Sequence, residues 1–247
     1  MINGMLEASR GCLKEEIRMD ILSNNLANAN VIGFKKDRLS FQQMLDQSTA
    51  SDSEQVSKEE SSSDSLGVSI VVDMGEGDIQ STGNSLDLAI SGEGFFKVNT
   101  PDGVRYTRKG NFTIDESGNL VTQDGFTVIG KGGNINISGK NIVVGDKGEI
   151  SVDGSQTGQL DLVTFDNMKD LVKLGEGLFK NGSDNPEAEI DDDTKIEQGY
   201  IELSNVNMTE EMVSMINCMR AFESYQKAMK ILDDLNSKAI NQVGSLR

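Results

Sequence analysis

Near the start of the chain, Met5, Cys12, Met19 and Leu26 recur at intervals of seven, with Leu6, Leu13, Ile17 and Leu22 beside them. Such a repeat is the seam of a coiled-coil helix; a strand would alternate apolar and polar positions instead. A helical segment is therefore predicted over residues 1–45. Gly33 is placed to stop its helix, since glycine is favoured just past a helix end. Towards the other end, Met208, Met212, Met215, Met219, Phe222 and Met229 follow a 4-3-4-3 spacing, with Gln226 in the gap. A second stripe then takes over, through Tyr225, Ala228, Leu232, Leu235 and Ala239. Asn207 followed by Glu210 resembles a capping box, with Asn where Ser or Thr is usual. The segment 200–247 is thus expected to hold one helix from Val206 to about Val243, roughly 55 Å long at 1.5 Å per residue.

Between these ends the pattern changes. Residues 66–199 carry short apolar runs, Ser69–Val72, Phe95–Val98, Val104–Thr107, Thr127–Ile129, Ile142–Val144 and Leu160–Phe165. Turn signals separate them: Pro101-Asp102-Gly103, Ser117-Gly118-Asn119, Asp124-Gly125 and Asp153-Gly154. That rhythm predicts antiparallel hairpins rather than βαβ units. Residues 46–65 have no aromatic residue and one branched aliphatic, Val56. Such a stretch cannot bury enough surface to offset its ordering entropy, so it is read as a flexible polar linker. The expected fold class is α+β: N- and C-terminal helices forming a coiled-coil layer, and a glycine-rich antiparallel β domain between them.

Seams on two faces of one helix suggest more than one partner. A single antiparallel pair of the two terminal helices leaves flanking stripes uncovered, so self-association is expected. Before assembly the segments Met1–Leu45 and Val206–Arg247 are expected to be largely mobile. Methionine suits a surface that packs differently against different neighbours, although it is also ordinary core filler.

Charge narrows the partners. The formal net charge of -17 repels phosphate backbones and anionic headgroups, which argues against nucleic acid and membrane surfaces. No apolar run approaches the roughly 20 residues of a spanning helix. Residues 1–10 lack the features of a cleaved signal peptide, so an exported location requires another signal. Cys12 and Cys218 cannot staple a chain of this size, and buried free thiols are expected. The chain has no histidine, which removes the commonest general base and zinc ligand.

The segment Ile21 to Lys35, ILSNNLANANVIGFK, resembles the N-terminal signature of the flagellar basal-body rod and hook protein family. Thr82 to Phe96, TGNSLDLAISGEGFF, then Tyr106 to Phe112, YTRKGNF, form a second match. A third runs from Gln198 to Asn207, QGYIELSNVN, with Glu211-Met212-Val213 and Arg220-Ala221-Phe222-Glu223. The resemblance brackets nearly the whole chain. A cysteine at 218 and an unusually polar 46–65 are its departures. It implies that the terminal segments form an inner coiled-coil layer and the β region faces outward. Subunits would stack into a hollow, torque-bearing tube after export, unfolded, through the flagellar type III apparatus. The implied partners are further copies of the chain, other rod subunits, and adjoining rod, ring or hook proteins; no cofactor is implied. Length and a small β domain fit the FlgF (proximal rod) and FlgG (distal rod) types, the proximal being favoured. On this resemblance the assembly residues are Asn24, Asn25, Leu26, Asn28, Gly33 and Phe34 at the N-terminus. The methionine stripe Met208, Met212, Met215, Met219, Phe222 and Met229 is their C-terminal counterpart. The β motif contributes Thr82, Gly83, Leu86, Asp87, Gly92, Gly94, Phe95 and Phe96.

Other chemistries fit the residues less well. Asn24 and Asn28 share a helix face, where their amides either bond a neighbouring subunit or cap local carbonyls. Phe34 is expected to anchor the chain as it turns out of the helix. Gly83 and the Gly92-Glu93-Gly94 turn lack the Gly-Lys-Ser/Thr and the following helix of a phosphate loop. Asp191-Asp192-Asp193 lacks the alternating spacing and terminal glutamate of a calcium loop. No two carboxylates stand out as a catalytic pair. A secreted β domain that binds glycan is the competing reading, but with no Trp and three Tyr there is little for a sugar to stack on. The expectation is a structural protein, not an enzyme.

Overall fold

The computed structural model describes residues 2–41, 68–182, 185–191 and 193–244. The 46–65 linker reading and Asp192 lie outside them. The chain divides into two units, residues 1–27, 37–71 and 207–247 in one, residues 28–36 and 72–206 in the other. The turn 28–36, grouped by sequence with the first helix, belongs to the β unit.

The helical unit pairs α1 (Ile2–Ala27) with α2 (Met208–Gly244); Asp37–Phe41 packs on α1 and forms a two-stranded sheet with Val68–Val72. Asn207 caps α2: its Oδ1 accepts from the backbone N–H of Thr209 at 3.1 Å and of Glu210 at 3.3 Å, as an N-cap residue should. Among the described residues, no helix is long and apolar enough to cross a membrane.

The β unit is built on antiparallel hairpins. In its main sheet the strands run in the order Val172–Gly175, Leu178–Lys180, Gly103–Thr107, Phe95–Thr100, Thr127–Gly130, Leu120–Thr122 and Phe112–Ile114. Leu162–Phe165 joins the start of the Phe95 strand and carries Glu187–Glu189 on its other edge. Three smaller sheets pair Ile142–Val144, Glu149–Val152 and Ser155–Gln159; Leu88–Ser91 with Lys195–Gln198; and Ile79–Ser81 with Tyr200–Glu202. The predicted turns are where the hairpins close. Val152 pairs with Ser155 across Asp153 (φ 50°) and Gly154 (φ 85°), two successive left-handed residues as a tight hairpin requires.

Alternation along the Phe95 strand splits the interior in two. Phe96 and Val98 face a large core with Phe112, Leu120, Val128, Ile150 and Leu160. Phe95 faces a smaller one with Tyr106, Val163, Phe165, Leu171 and Phe179. Edge-to-face rings fix both, with centroids 5.0 Å apart for Phe96–Phe112 and 4.9 Å for Tyr106–Phe165.

Candidate assembly interface

The helix pair is antiparallel and meets along heptad columns. Gly4 lies beside Leu232, and Gly11 lies so close to the Tyr225 ring that a Cβ would stand 2.6 Å from it. The Cys218 thiol donates to the Glu15 carbonyl at 3.1 Å. Residues 4, 11 and 15 thus step against 232, 225 and 218. The two glycines let the backbones approach where large side chains face them. Ala8, Cys12, Glu15, Ile21, Leu22 and Asn25 are buried on α1, and Glu211 and Cys218 on α2. Both cysteines are free and buried, as the sequence suggested. Burial, with the Glu15 carboxylate beside it, pushes the Cys218 thiol up to about 11.

The methionine stripe divides between two faces. Met215, Phe222 and Met229 are half-buried on the side turned to α1. Met208 (40% exposed), Met212 (46%) and Met219 (46%) lie outside it, joined by Ile216 (51%) and Val213 (54%). On α1, Met5, Leu6 and Leu13 are likewise exposed and Leu26 is half-buried. An apolar strip therefore flanks the closed seam.

The N-terminal signature does two different jobs. In the helical unit Asn25, almost fully buried, clamps the backbone of Asp37: Nδ2 donates to the Asp37 carbonyl and Oδ1 accepts the Asp37 N–H, each at 2.9 Å. Asn24 is exposed, and Asn28, half-buried, accepts the Val31 N–H through its carbonyl at 3.1 Å. The helix stops at Ala27, so Gly33 is not its terminator. Gly33 takes φ 64°, donates its N–H to the Glu202 carbonyl at 2.8 Å, and passes so near Arg108 that a Cβ would lie 2.6 Å from that residue's carbonyl carbon. Left-handed backbone and close approach are what demand glycine there.

Phe34 is buried with the Lys173 ammonium 3.8 Å from its ring centre, a cation–π contact. Lys173 also donates to the Lys35 carbonyl at 2.8 Å. Lys35, 1% exposed, donates to Glu202 Oε1 at 2.5 Å and to the Gly75 carbonyl at 2.8 Å. The other carboxylate oxygen, Oε2, accepts from Arg108 Nη1 at 3.3 Å, and Oε1 also accepts the Gly77 N–H at 2.9 Å. Arg108 Nη2 donates to the Gly92 carbonyl at 2.9 Å. Burial depresses both the Lys35 and Arg108 values, with Glu202 offsetting part of the effect. Asn205 closes the knot: Oδ1 accepts the Lys36 N–H at 2.8 Å, and Nδ2 donates to the carbonyls of Asp73 and Gly75. One residue from each matched segment, Lys35, Arg108 and Glu202, thus meets in a buried ion cluster. All three stand within the sequence motifs, yet the sequence alone singles out none of them; Lys35 and Glu202 are each the one charged residue of their run, 21–35 and 198–207, and Arg108 is followed directly by Lys109.

The β-motif residues are architectural. Asp87 accepts from Thr82 Oγ1 at 2.6 Å and from Asn84 Nδ2 at 3.0 Å, closing a turn at Gly83 (φ 71°). Leu86 packs against the larger core. Gly92 and Gly94 take φ 104° and 151° and lie against Thr194 and Ile190, while Phe95 and Phe96 enter opposite cores. These glycines serve turns, as expected. Asp191 and Asp193 are exposed, and among the described residues no acidic, cysteine or histidine group is arranged to hold a metal.

Family models match three stretches in register with this geometry. They are the flagella basal body rod protein over 6–35, the flagellar hook protein FlgE/F/G D1 domain over 89–152, and the flagellar basal body rod FlgEFG protein C-terminal over 197–242. The flagellar basal-body rod protein FlgG of Bacillus subtilis is 33% identical over 261 aligned positions, covering 98% of this chain and 99% of its own. FlgG of Buchnera aphidicola from Schizaphis graminum is 35% identical, covering 96% and 98%. The flagellar basal-body rod protein FlgF of Caulobacter vibrioides is 35% identical, covering 92% of each. The chain belongs to the flagellar basal-body rod protein family, of the FlgF/FlgG type.

Proposed function

We propose that this chain is a structural subunit of the bacterial flagellar rod, assembling side by side with further rod subunits through its terminal helices. The observation that carries the reading is the strip of Met208, Met212, Ile216 and Met219, exposed on α2 beside a seam already closed by α1. Burying each such side chain against a neighbour is worth about 1.5–3 kcal/mol. Copies joined this way form a helical polymer that crosses the periplasm and passes torque from motor to hook. Its partners are itself, adjoining rod, ring and hook proteins, and the type III apparatus that exports it without a cleaved signal peptide. The β domain supplies the outward face. Phe34 and Asn25 act indirectly, by fixing the turn that leads the chain out of α1.

The modest length and small β domain fit both the proximal and the distal type, and the proximal position is the favoured reading. The distal position is a second reading, since FlgG of Bacillus subtilis and of Buchnera aphidicola align over 96–98% of the chain, while FlgG and FlgF of Caulobacter vibrioides each align over 92%. Cryo-EM of purified hook–basal bodies, with mass spectrometry to count this chain, separates them. A short segment near the inner membrane identifies a proximal subunit, and a long stretch below the hook a distal one. Complete absence from the basal body overturns the rod reading.

A further inference from the structure

We infer that the helix pair carries two buried carboxylates whose partners are arginines of a second copy of the chain, so that assembly is read by charge as well as by apolar fit. This rests on the assembly reading above. Glu15 on α1 and Glu211 on α2 are only 8% and 9% exposed, and Oε2 of each receives no hydrogen bond. A buried carboxylate oxygen without a donor is costly, and a native fold keeps such groups few. Both occupy the seam itself. The Glu15 carbonyl accepts the Cys218 thiol, and Glu211 stands one heptad before Cys218 on α2. Leucine there would pack without a charge to satisfy, so the carboxylates mark a packed seam whose hydrogen bonding is incomplete within the single chain.

The completing group must be a cation that can enter beside apolar surface. Met212 and Met208, exposed next to Glu211, supply that surface. Arginine suits the task because its fork donates to a carboxylate at two points and is weakly hydrated. Arg10 and Arg18 on α1 are exposed and eight residues apart on one side of that helix. Arg10 is engaged by Glu7 at 3.4 Å in an exposed pair, and such pairs contribute little and exchange readily. The α1 face of one copy therefore offers cations to the Glu15 and Glu211 seam of the next. A contact between two different surfaces propagates rather than closing on itself, as a polymer needs.

The test is sedimentation of the purified full chain over a concentration series, with the helical signal followed during thermal unfolding. In the double variant E15Q/E211Q, self-association weakens at least about tenfold. The helical thermal midpoint rises, because two buried charges, each with an oxygen that no donor reaches, are gone. The variant R10Q/R18Q, altered only at exposed positions, loses association to a similar degree. Association of both variants at the wild-type level, or a lowered midpoint in E15Q/E211Q, overturns the inference. A wild-type chain that stays monomeric overturns the choice of a second copy as partner. Met212→Asp is the control for the reading beneath: if it too associates normally, the assembly surface itself is wrong. If it alone blocks association, only the carboxylate inference fails.

Discussion

Lys35 Nζ and Glu202 Oε1 are 2.5 Å apart although 167 residues separate them in the chain, and both side chains are 1% exposed. Together with Arg108 this pair ties residues 28–36 into the β domain and makes the domain dependent on both ends of the sequence. Buried ion pairs add little over an apolar core of equal volume, but breaking one strands its partner.

Replacing Glu202 with Gln leaves Lys35 and Arg108 as buried cations without their nearest counter-charge. The expected loss is about 3–5 kcal/mol of β-domain stability, the usual penalty for removing one partner of a buried pair. Urea unfolding followed by tyrosine fluorescence measures it, since Tyr106 lies in the smaller core. A loss under about 1 kcal/mol, the scale of an exposed pair, contradicts the structural role given to the cluster.

Gly33→Ala meets two obstacles, a left-handed φ of 64° and the Arg108 backbone 2.6 Å from the new Cβ. Strain of this kind costs about 1–3 kcal/mol, and the clash adds to it. Gly83, equally left-handed, has nothing within 4 Å of where a Cβ would stand, so Gly83→Ala isolates the backbone share. The first substitution should lower the melting temperature more than the second; equal shifts would refute the close-approach argument.

Tyr106 Oη donates to Glu187 Oε1 at 2.5 Å, and Lys97 Nζ donates to Glu187 Oε2 at 2.6 Å. Burial alone would raise the Glu187 carboxyl; these donors outweigh it and hold the carboxyl below its ordinary 4.5. A depressed acid contributes stability that is complete above its unfolded value and lost as pH falls through its folded value. Burial and the Glu187 bond push the Tyr106 hydroxyl upward, so its contribution is complete below pH 10 and lost at higher pH. Glu187→Gln should therefore flatten the acid limb of a stability–pH curve below about pH 4.5 and also weaken the alkaline limb. An unchanged acid limb would show the network to be idle.

Hydrogen exchange on the dilute chain should find amides of α1 and α2 exchanging faster than those of the Phe95–Thr100 and Gly103–Thr107 strands. Only one side of each helix is covered, and one oxygen of each of two seam carboxylates lacks a donor, whereas those strands lie against two cores. Full protection of both helices in the monomer contradicts the view that they are completed by neighbours.

Local patterns were legible because they depend on residues near in sequence. Heptad spacing announced both helices, Asn207 announced the cap of α2, and glycine dipeptides announced the hairpins. The interior closing of the β domain was not legible, because Lys35, Arg108 and Glu202 are brought together only by topology. Gly33 shows the same limit: its position reads as a helix stop, and its actual demand is set by the Arg108 backbone, distant in sequence. The split of the methionine stripe was also hidden. A 4-3 spacing shows that a helix has an apolar side, but Gly4 and Gly11 on the partner decide which part of it the chain covers itself.

Met212 offers the most direct test of the central claim, since it is 46% exposed and Met215, one turn on, is half-buried against α1. Cells whose single copy of the chain carries Met212→Asp should make a folded protein that mass spectrometry fails to find in purified hook–basal bodies. Incorporation at the wild-type level would mean that the exposed strip on α2 is not where rod subunits meet.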